Sequence, residues 1–314
     1  MRKSSPLLLF LFFVGTGLPQ EVPPSAESAD FTISADVELV VLDVSVKDAK
    51  GGYASGLSKD DFKVFDNGKL QPIKHFSPAD LPVTVGLVVD NSGSMRPKRA
   101  DVITAAITFV HASNPQDEIF VVNFNDTVRR GLPSDVLFSD DIGSLRKALW
   151  NGPAEGRTSL YDALSYSIQH LEKGKMGKKT LVLVSDGGDN ASALRSHQVI
   201  RRVEESLATI YTLGIFDEDD RDRNPGFLKQ LAEVSGGEYF RPSVLKEVAP
   251  ICLKIAGDIR SRYTIAYSPP HLNAKQATHS IKVVASTPSR SHLTVHTRSR
   301  YIEPHDGKKK ENGR

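Results

Sequence analysis

Thr84-Val85-Gly86-Leu87-Val88-Val89-Asp90-Asn91-Ser92-Gly93-Ser94-Met95 is the stretch that decides how this 314-residue chain folds. Residues Thr84–Val89 form a continuous apolar run without alternation, as expected of a strand covered on both faces. A helical pattern follows over Ala100–Ala112, with Val102, Ile103, Ala106, Phe109 and Val110 on one broad face. The residues between them therefore lie beyond the carboxyl end of a buried strand, where open α/β sheets bind ligands. There Asp90 offers a hard carboxylate, and Ser92 and Ser94 offer hydroxyls at alternating positions. Oxygen donors so spaced suit a small octahedral ion that keeps some waters, Mg²⁺ (or Mn²⁺) over Zn²⁺. The same five residues also suit a helix-entry turn in which Ser and Asp cap backbone N–H groups.

Outward from this stretch, strand-like and helix-like patterns alternate. Strands are expected at Ile119–Phe124, Thr127–Leu132 (an edge), Thr180–Val184, Ile210–Gly214 and Tyr239–Phe240. Helices are expected at Ile142–Leu149, Leu160–Leu171, Val199–Leu207, Phe227–Val234 and Val244–Ile259. The alternation predicts an α/β domain over residues 81–262: a doubly wound, mostly parallel, Rossmann-like sheet with helices on both faces. Residues 35–80 and 263–302 read differently. Val37–Val46 alternates, Asp66-Asn67-Gly68 sets a hairpin turn between Phe62–Phe65 and Leu70–Phe76, and Tyr263–Tyr267, Ser280–Ala285 and Leu293–Thr297 alternate again. The expectation is one small antiparallel, sandwich-like domain built from both segments.

Two further pieces extend the oxygen set. Thr158, in Gly156-Arg157-Thr158-Ser159-Leu160, stands at the entry to a helix. Asp186, in Val184-Ser185-Asp186-Gly187, ends a second buried strand. Taken singly, Thr158 also reads as a helix cap and Asp186-Gly187 as a strand-ending turn. If the two buried strands are neighbours, all five oxygens meet at one sheet edge.

This combination resembles the metal-ion-dependent adhesion site of von Willebrand factor type A domains, with Asp90, Ser92, Ser94, Thr158 and Asp186 at its five positions. The resemblance spans about residues 82–260. The flanking segments, LSKDDFKVFDNG (residues 57–68) among them, resemble exported bacterial proteins related to this family, of the Acidobacteria type. It implies that Ser92 and Ser94 ligate directly and that Thr158 and Asp186 alternate between direct and water-mediated contact. It further implies that an Asp or Glu carboxylate of a partner protein takes the open metal position. Arg157, Asp217 and Asp219 are candidate partner contacts around that position.

The bulk composition limits the alternatives. Arg2 and Lys3 followed by the apolar run Leu7–Val14 read as a signal peptide over residues 1–20, too short to span a bilayer. A linker over 21–34 follows, and residues 303–314 read as a disordered tail. The expected location is a bacterial periplasm or exterior, with no integral membrane segment in the mature chain. Residues 21–314 balance 38 basic against 38 acidic side chains, which gives no electrostatic case for nucleic acid. Cys252 is the only cysteine, so no internal disulfide is possible. Among enzymes, a haloacid-dehalogenase-type phosphotransferase would use Asp90 as nucleophile, but it needs a carboxyl general acid where Ser92 stands. No enzymatic activity is therefore expected, and a structural protein with an idle metal site is the remaining alternative. Asp220-x-Asp222-x-Asn224 resembles part of a calcium loop, but Pro225 and Leu231 replace the required Gly and Glu.

Overall fold

The computed structural model describes residues 39–302 except 79, 218–221, 270–277, 289 and 291. The expected signal peptide, linker, C-terminal tail and Asp219 lie outside the described residues.

β1 (Val40–Lys47) alternates as its sequence requires, with Leu42 and Val44 fully buried. β2 (Phe62–Asp66) and β3 (Lys69–Gln71) form a hairpin, and its turn residues Asn67 and Gly68 take φ of 48° and 77°. The expected second arm Leu70–Phe76 does not run through. Pro72, which has no N–H to give a ladder, separates β3 from β4 (Ile73–Ser77), and β4 pairs in a different sheet.

The central region then builds a six-stranded sheet. In chain order its elements are β5 (Val83–Asp90), α1 (Arg99–Ala112), β6 (Glu118–Phe124), β7 (Val128–Arg130), α2 (Ile142–Leu149), α3 (Leu160–Leu171) and β8 (Lys178–Ser185). There follow α4 (Ser196–Glu205), β9 (Thr209–Gly214), α5 (Pro225–Ser235), β10 (Tyr239–Phe240) and α6 (Val248–Arg260). The strand order is β10-β9-β8-β5-β6-β7, all parallel except β7. Every residue of β5 is buried, which is why its sequence shows no alternation. Helices α1, α2 and α6 pack together, as do α3, α4 and α5, so that both sheet faces are covered. The last expected helix, from Val244, begins as a 3₁₀ turn over Leu245–Glu247 and becomes α-helical only at Val248.

β11 (Tyr263–Tyr267), β12 (Thr278–Ala285), β13 (Thr294–His296) and β14 (Arg300–Ile302) complete two four-stranded antiparallel sheets, β13-β1-β11-β4 and β14-β12-β2-β3. Each mixes strands from before and after the α/β region, and Leu42, Val64, Ile265 and Val283 share one core between them. A buried polar knot ties this sandwich to the α/β sheet. Arg262 donates to Asp258 (2.9 Å) and to the Gly236 carbonyl (2.9 Å), while Ser45 of β1 donates to the other Asp258 oxygen at 2.6 Å.

Candidate metal centre

The first strand of the sheet, β5, has β6 on one side and β8 on the other, so the chain reverses its winding direction beside it. The crevice left at such a reversal lies beyond the carboxyl ends of the strands. Asp90 closes β5 and Asp186 follows β8 directly, so the two carboxylates flank this crevice. Asp90, Ser92, Thr158 and Asp186 are each 2–6% exposed, and Ser94 is half-buried.

Short bonds join the set. The Ser92 amide donates to Asp90 Oδ1 at 2.9 Å, and the Ser185 hydroxyl donates to Asp90 Oδ2 at 2.7 Å. The hydroxyls of Ser92 and Ser94 lie 3.1 Å apart, and that of Ser94 donates to Asp186 Oδ2 at 2.6 Å. The Gly188 amide donates to Asp186 Oδ1 at 2.9 Å. Thr158 is held through its backbone: its amide donates to Asn190 Oδ1 at 2.9 Å, and its carbonyl accepts from the amides of Asn190 and Ala191, both at 3.0 Å. The loop before it meets the β5 turn where the Gly93 amide donates to the Gly156 carbonyl at 3.1 Å. Three segments far apart in sequence are thus fastened to one another around the five predicted oxygens.

Two glycines make this approach possible. At Gly187, where φ is +79°, a Cβ would fall 2.5 Å from the Asn224 carbonyl oxygen. At Gly156, where φ is +81°, a Cβ would fall within the Asp126 carboxylate. That carboxylate accepts from the Arg157 amide (3.1 Å) and Nε (3.0 Å), so Arg157 stands at the rim, exposed and engaged within the chain. Asp217 also has a partner, Lys98 Nζ at 2.9 Å. Asp222 accepts from Asn190 Nδ2 at 3.0 Å, and the Asn224 amide donates to the Asp186 carbonyl at 3.1 Å, which brings Asp222 and Asn224 against the crevice.

The two carboxylates raise the electrostatic cost of the crevice. Burial, and next the charge of Asp186, push the Asp90 carboxyl up from an ordinary 3.8 to about 7, against the lowering effect of Ser185 and Ser92. No basic side chain among the described residues pairs with Asp90. Two buried carboxylates among hydroxyls form a donor set that fits a hard divalent cation. Among the described residues there is no group of three or more His, Cys, Asp or Glu that could hold a metal.

The sequence profile of the von Willebrand factor type A domain matches residues 84–249, more than half of the chain. The chain belongs to this family. Members are commonly protein-interaction modules and generally not enzymes. An uncharacterised protein of Synechocystis is 27% identical over 148 residues, covering 45% of this chain and 34% of its own length. An uncharacterised protein of Escherichia coli, YfbK, is 25% identical over 177 residues, covering 55% of this chain and 30% of its own. The chain thus spans about a third of the length of these curated relatives. A von Willebrand factor type A structure from Catenulispora acidiphila superposes with a TM-score of 0.53 at 14% identity, covering 87% of this chain and 76% of that one, and shares the fold.

Sequence reasoning missed Ser185, Asn190 and Asp126, which hold Asp90, Thr158 and the 156–157 turn in place. Ser185 carried a signal, since it sits beside Asp186 at a strand end. Asn190 and Asp126 carried none, because each acts on a segment about thirty residues away in the chain.

Proposed function

We propose that this chain is an exported bacterial, Mg²⁺-dependent (or Mn²⁺-dependent) protein-binding module, with Asp90, Ser92, Ser94, Thr158 and Asp186 as the metal-holding residues. The observation that carries this reading is the meeting of two buried carboxylates, Asp90 and Asp186, with the Ser92 and Ser94 hydroxyls at the winding reversal of the sheet. Asp90 supplies the charge and the hydroxyls supply dipoles. A bound Mg²⁺ would offer a Lewis-acidic position for an Asp or Glu carboxylate of the partner. Arg157, Asp217 and Asp219 are the proposed flanking contacts that choose among acidic partners. The basic-then-apolar N-terminus supports export; no helix among the described residues is long and apolar enough to cross a membrane. The family's usual role and the hydroxyl at Ser92 both weigh against phosphoryl transfer.

The test is calorimetric titration with Mg²⁺ and Mn²⁺ of the mature chain and of Asp90→Ala. One site is expected in the first and none in the second, with an unchanged circular dichroism spectrum. Equal affinity in both overturns the assignment. Capture of partners from exported proteins with Mg²⁺, repeated with chelator, then separates a binding module from an idle site.

A further inference from the structure

The sheet edge that carries Asp90 and Asp186 also carries a recess of about 350 Å³, lined by Phe216, Arg223, Arg241, Pro242 and Ser243. Phe216 lies two residues beyond β9 and Arg241 directly follows β10. Because both strands run parallel to β5 and β8, the recess opens on the same side of the sheet. Arg223 precedes Asn224, whose amide holds the Asp186 carbonyl, so the recess adjoins the crevice. The Arg241 guanidinium carbon lies 5.3 Å from the centroid of the Phe216 ring, within cation–π range. Arg223 is anchored through Nη1 to the Asp217 carbonyl at 2.9 Å. Among the described residues, neither guanidinium pairs with a carboxylate. Two arginines, one beside an aromatic ring and one held by a carbonyl, thus line the recess together.

We propose that this recess binds a carboxylate of an acidic peptide segment, through charge-assisted hydrogen bonds from Arg223 and Arg241. A singly charged group fits better than a phosphate dianion. Glu247 accepts from the Ser243 amide at 2.7 Å, so negative charge beside the recess already offsets part of the field of the guanidinium pair. The recess then gives a partner held at the crevice a second acidic contact, and this joint role rests on the metal-bridged reading above. Binding in the recess does not.

The experiment uses the full mature chain and blocked peptides containing Glu or, as control, Gln, followed through the arginine Nε–H resonances by NMR. In chelator, the Glu peptide should shift the Arg223 and Arg241 signals, and the Gln peptide should leave them in place. Arg223→Gln and Arg241→Gln, both at exposed positions, should each weaken binding about threefold or more, the scale of an exposed charge pair. Unmoved signals, equal movement with the Gln peptide, or saturation by inorganic phosphate at lower concentration than by the Glu peptide overturns the proposal. A peptide with two spaced Glu residues is then compared with and without Mg²⁺, expecting about a tenfold or larger gain from linked binding. Loss of that gain alone, with the chelator result intact, counts against the metal bridge and leaves the recess standing.

Discussion

In the β-sandwich Asp66 is wholly buried between His279 and Tyr267, whose Nδ1 and hydroxyl lie 2.8 and 2.9 Å from its oxygens. At the sheet edge Asp90 is equally inaccessible, yet it receives the Ser92 amide and the Ser185 hydroxyl and faces a second acid, Asp186. Asp258, in the knot between the two regions, follows the sandwich pattern. Burial alone would raise its pKa, but Arg262, Ser45 and Tyr211 outweigh burial and hold it below the ordinary carboxylate range. A carboxylate with an internal cation or several strong donors belongs to the architecture. A pair of buried carboxylates among hydroxyls is the arrangement that we propose an external cation completes. On that proposal the contrast divides acids that hold the fold from acids that hold a metal.

The largest expected effect tests whether the sandwich is one body. Deleting residues 263–302 removes β11 to β14 and strips β1 and β2 of partners on which their ladders depend. Aggregation is expected from the exposed edges and the apolar faces of Leu42 and Val64. Residues 81–262 made alone should stay soluble. A monomeric deletion variant with full strand content by circular dichroism would show that the segments fold independently.

Next in size is the contrast between Asp258 and Asp90. Asp258→Ala leaves the buried Arg262 without its carboxylate and should cost about 3–5 kcal/mol in urea unfolding, the usual loss when one partner of a buried pair is removed. Asp90→Asn removes a buried charge from beside Asp186, so in chelator above neutral pH it should unfold no earlier than the parent chain. Comparable losses in both variants would erase the distinction between the two kinds of acid.

Much of this was legible in the sequence. The unbroken apolar runs of β5 and β8, set against the alternation of β1, separated the covered parallel sheet from the half-covered sandwich. The five oxygens were legible because each sits where a strand ends or a helix begins. Pro72 could have announced the break between β3 and β4, but Asn67-Gly68 so strongly marks a hairpin that its second arm was read through the proline. Asp66 read as a turn residue, because its partner His279 lies 213 positions away and local pattern carries nothing across that distance. The recess at Arg223 and Arg241 was hidden for the same reason, since it exists only once β9 and β10 are paired.

The pH response should split the two kinds of acid by sign. With metal removed, folded Asp90 keeps its proton up to about 7, whereas the unfolded chain has lost it above about 3.8. Between those values the native state binds more protons, so this group's contribution to stability falls as pH rises and levels off above about 7. Asp258, held low, contributes in the opposite sense: its stabilisation is present above the ordinary carboxylate pKa and is lost as pH falls through the folded value. Mg²⁺ competes with the Asp90 proton, so its affinity should drop roughly tenfold per pH unit below about 7. Asp90→Asn should flatten the first slope in chelator, and Asp258→Asn should flatten only the second. Calorimetric Mg²⁺ affinity that does not change between pH 6 and 8, values chosen about one unit either side of that midpoint, would remove Asp90 from the ligand set.

The smallest effect concerns the loop that presents Thr158. Asp126 holds it from outside through the Arg157 amide and guanidinium, and Gly156 is needed because a side chain there would strike that carboxylate. The Gly156 carbonyl in turn takes the Gly93 amide, so the clamp reaches the Ser92–Ser94 turn through one hydrogen bond. Both charges are substantially exposed, with 68% and 43% of the side-chain surface open, so solvent screens most of their attraction. Asp126→Asn keeps an acceptor for the Arg157 amide and loses only the charge, whereas Asp126→Ala loses both. Mg²⁺ affinity should therefore fall little in the first and further in the second, yet stay within about tenfold of the parent. Added salt should narrow the gap between the parent and Asp126→Asn while leaving that of Asp126→Ala largely in place, because only the former difference is a screened charge pair. A loss in Asp126→Ala as complete as in Asp90→Ala would mean that loop placement, and not the buried carboxylate pair, governs the site, and the division between structural and functional acids would have to be redrawn at the rim.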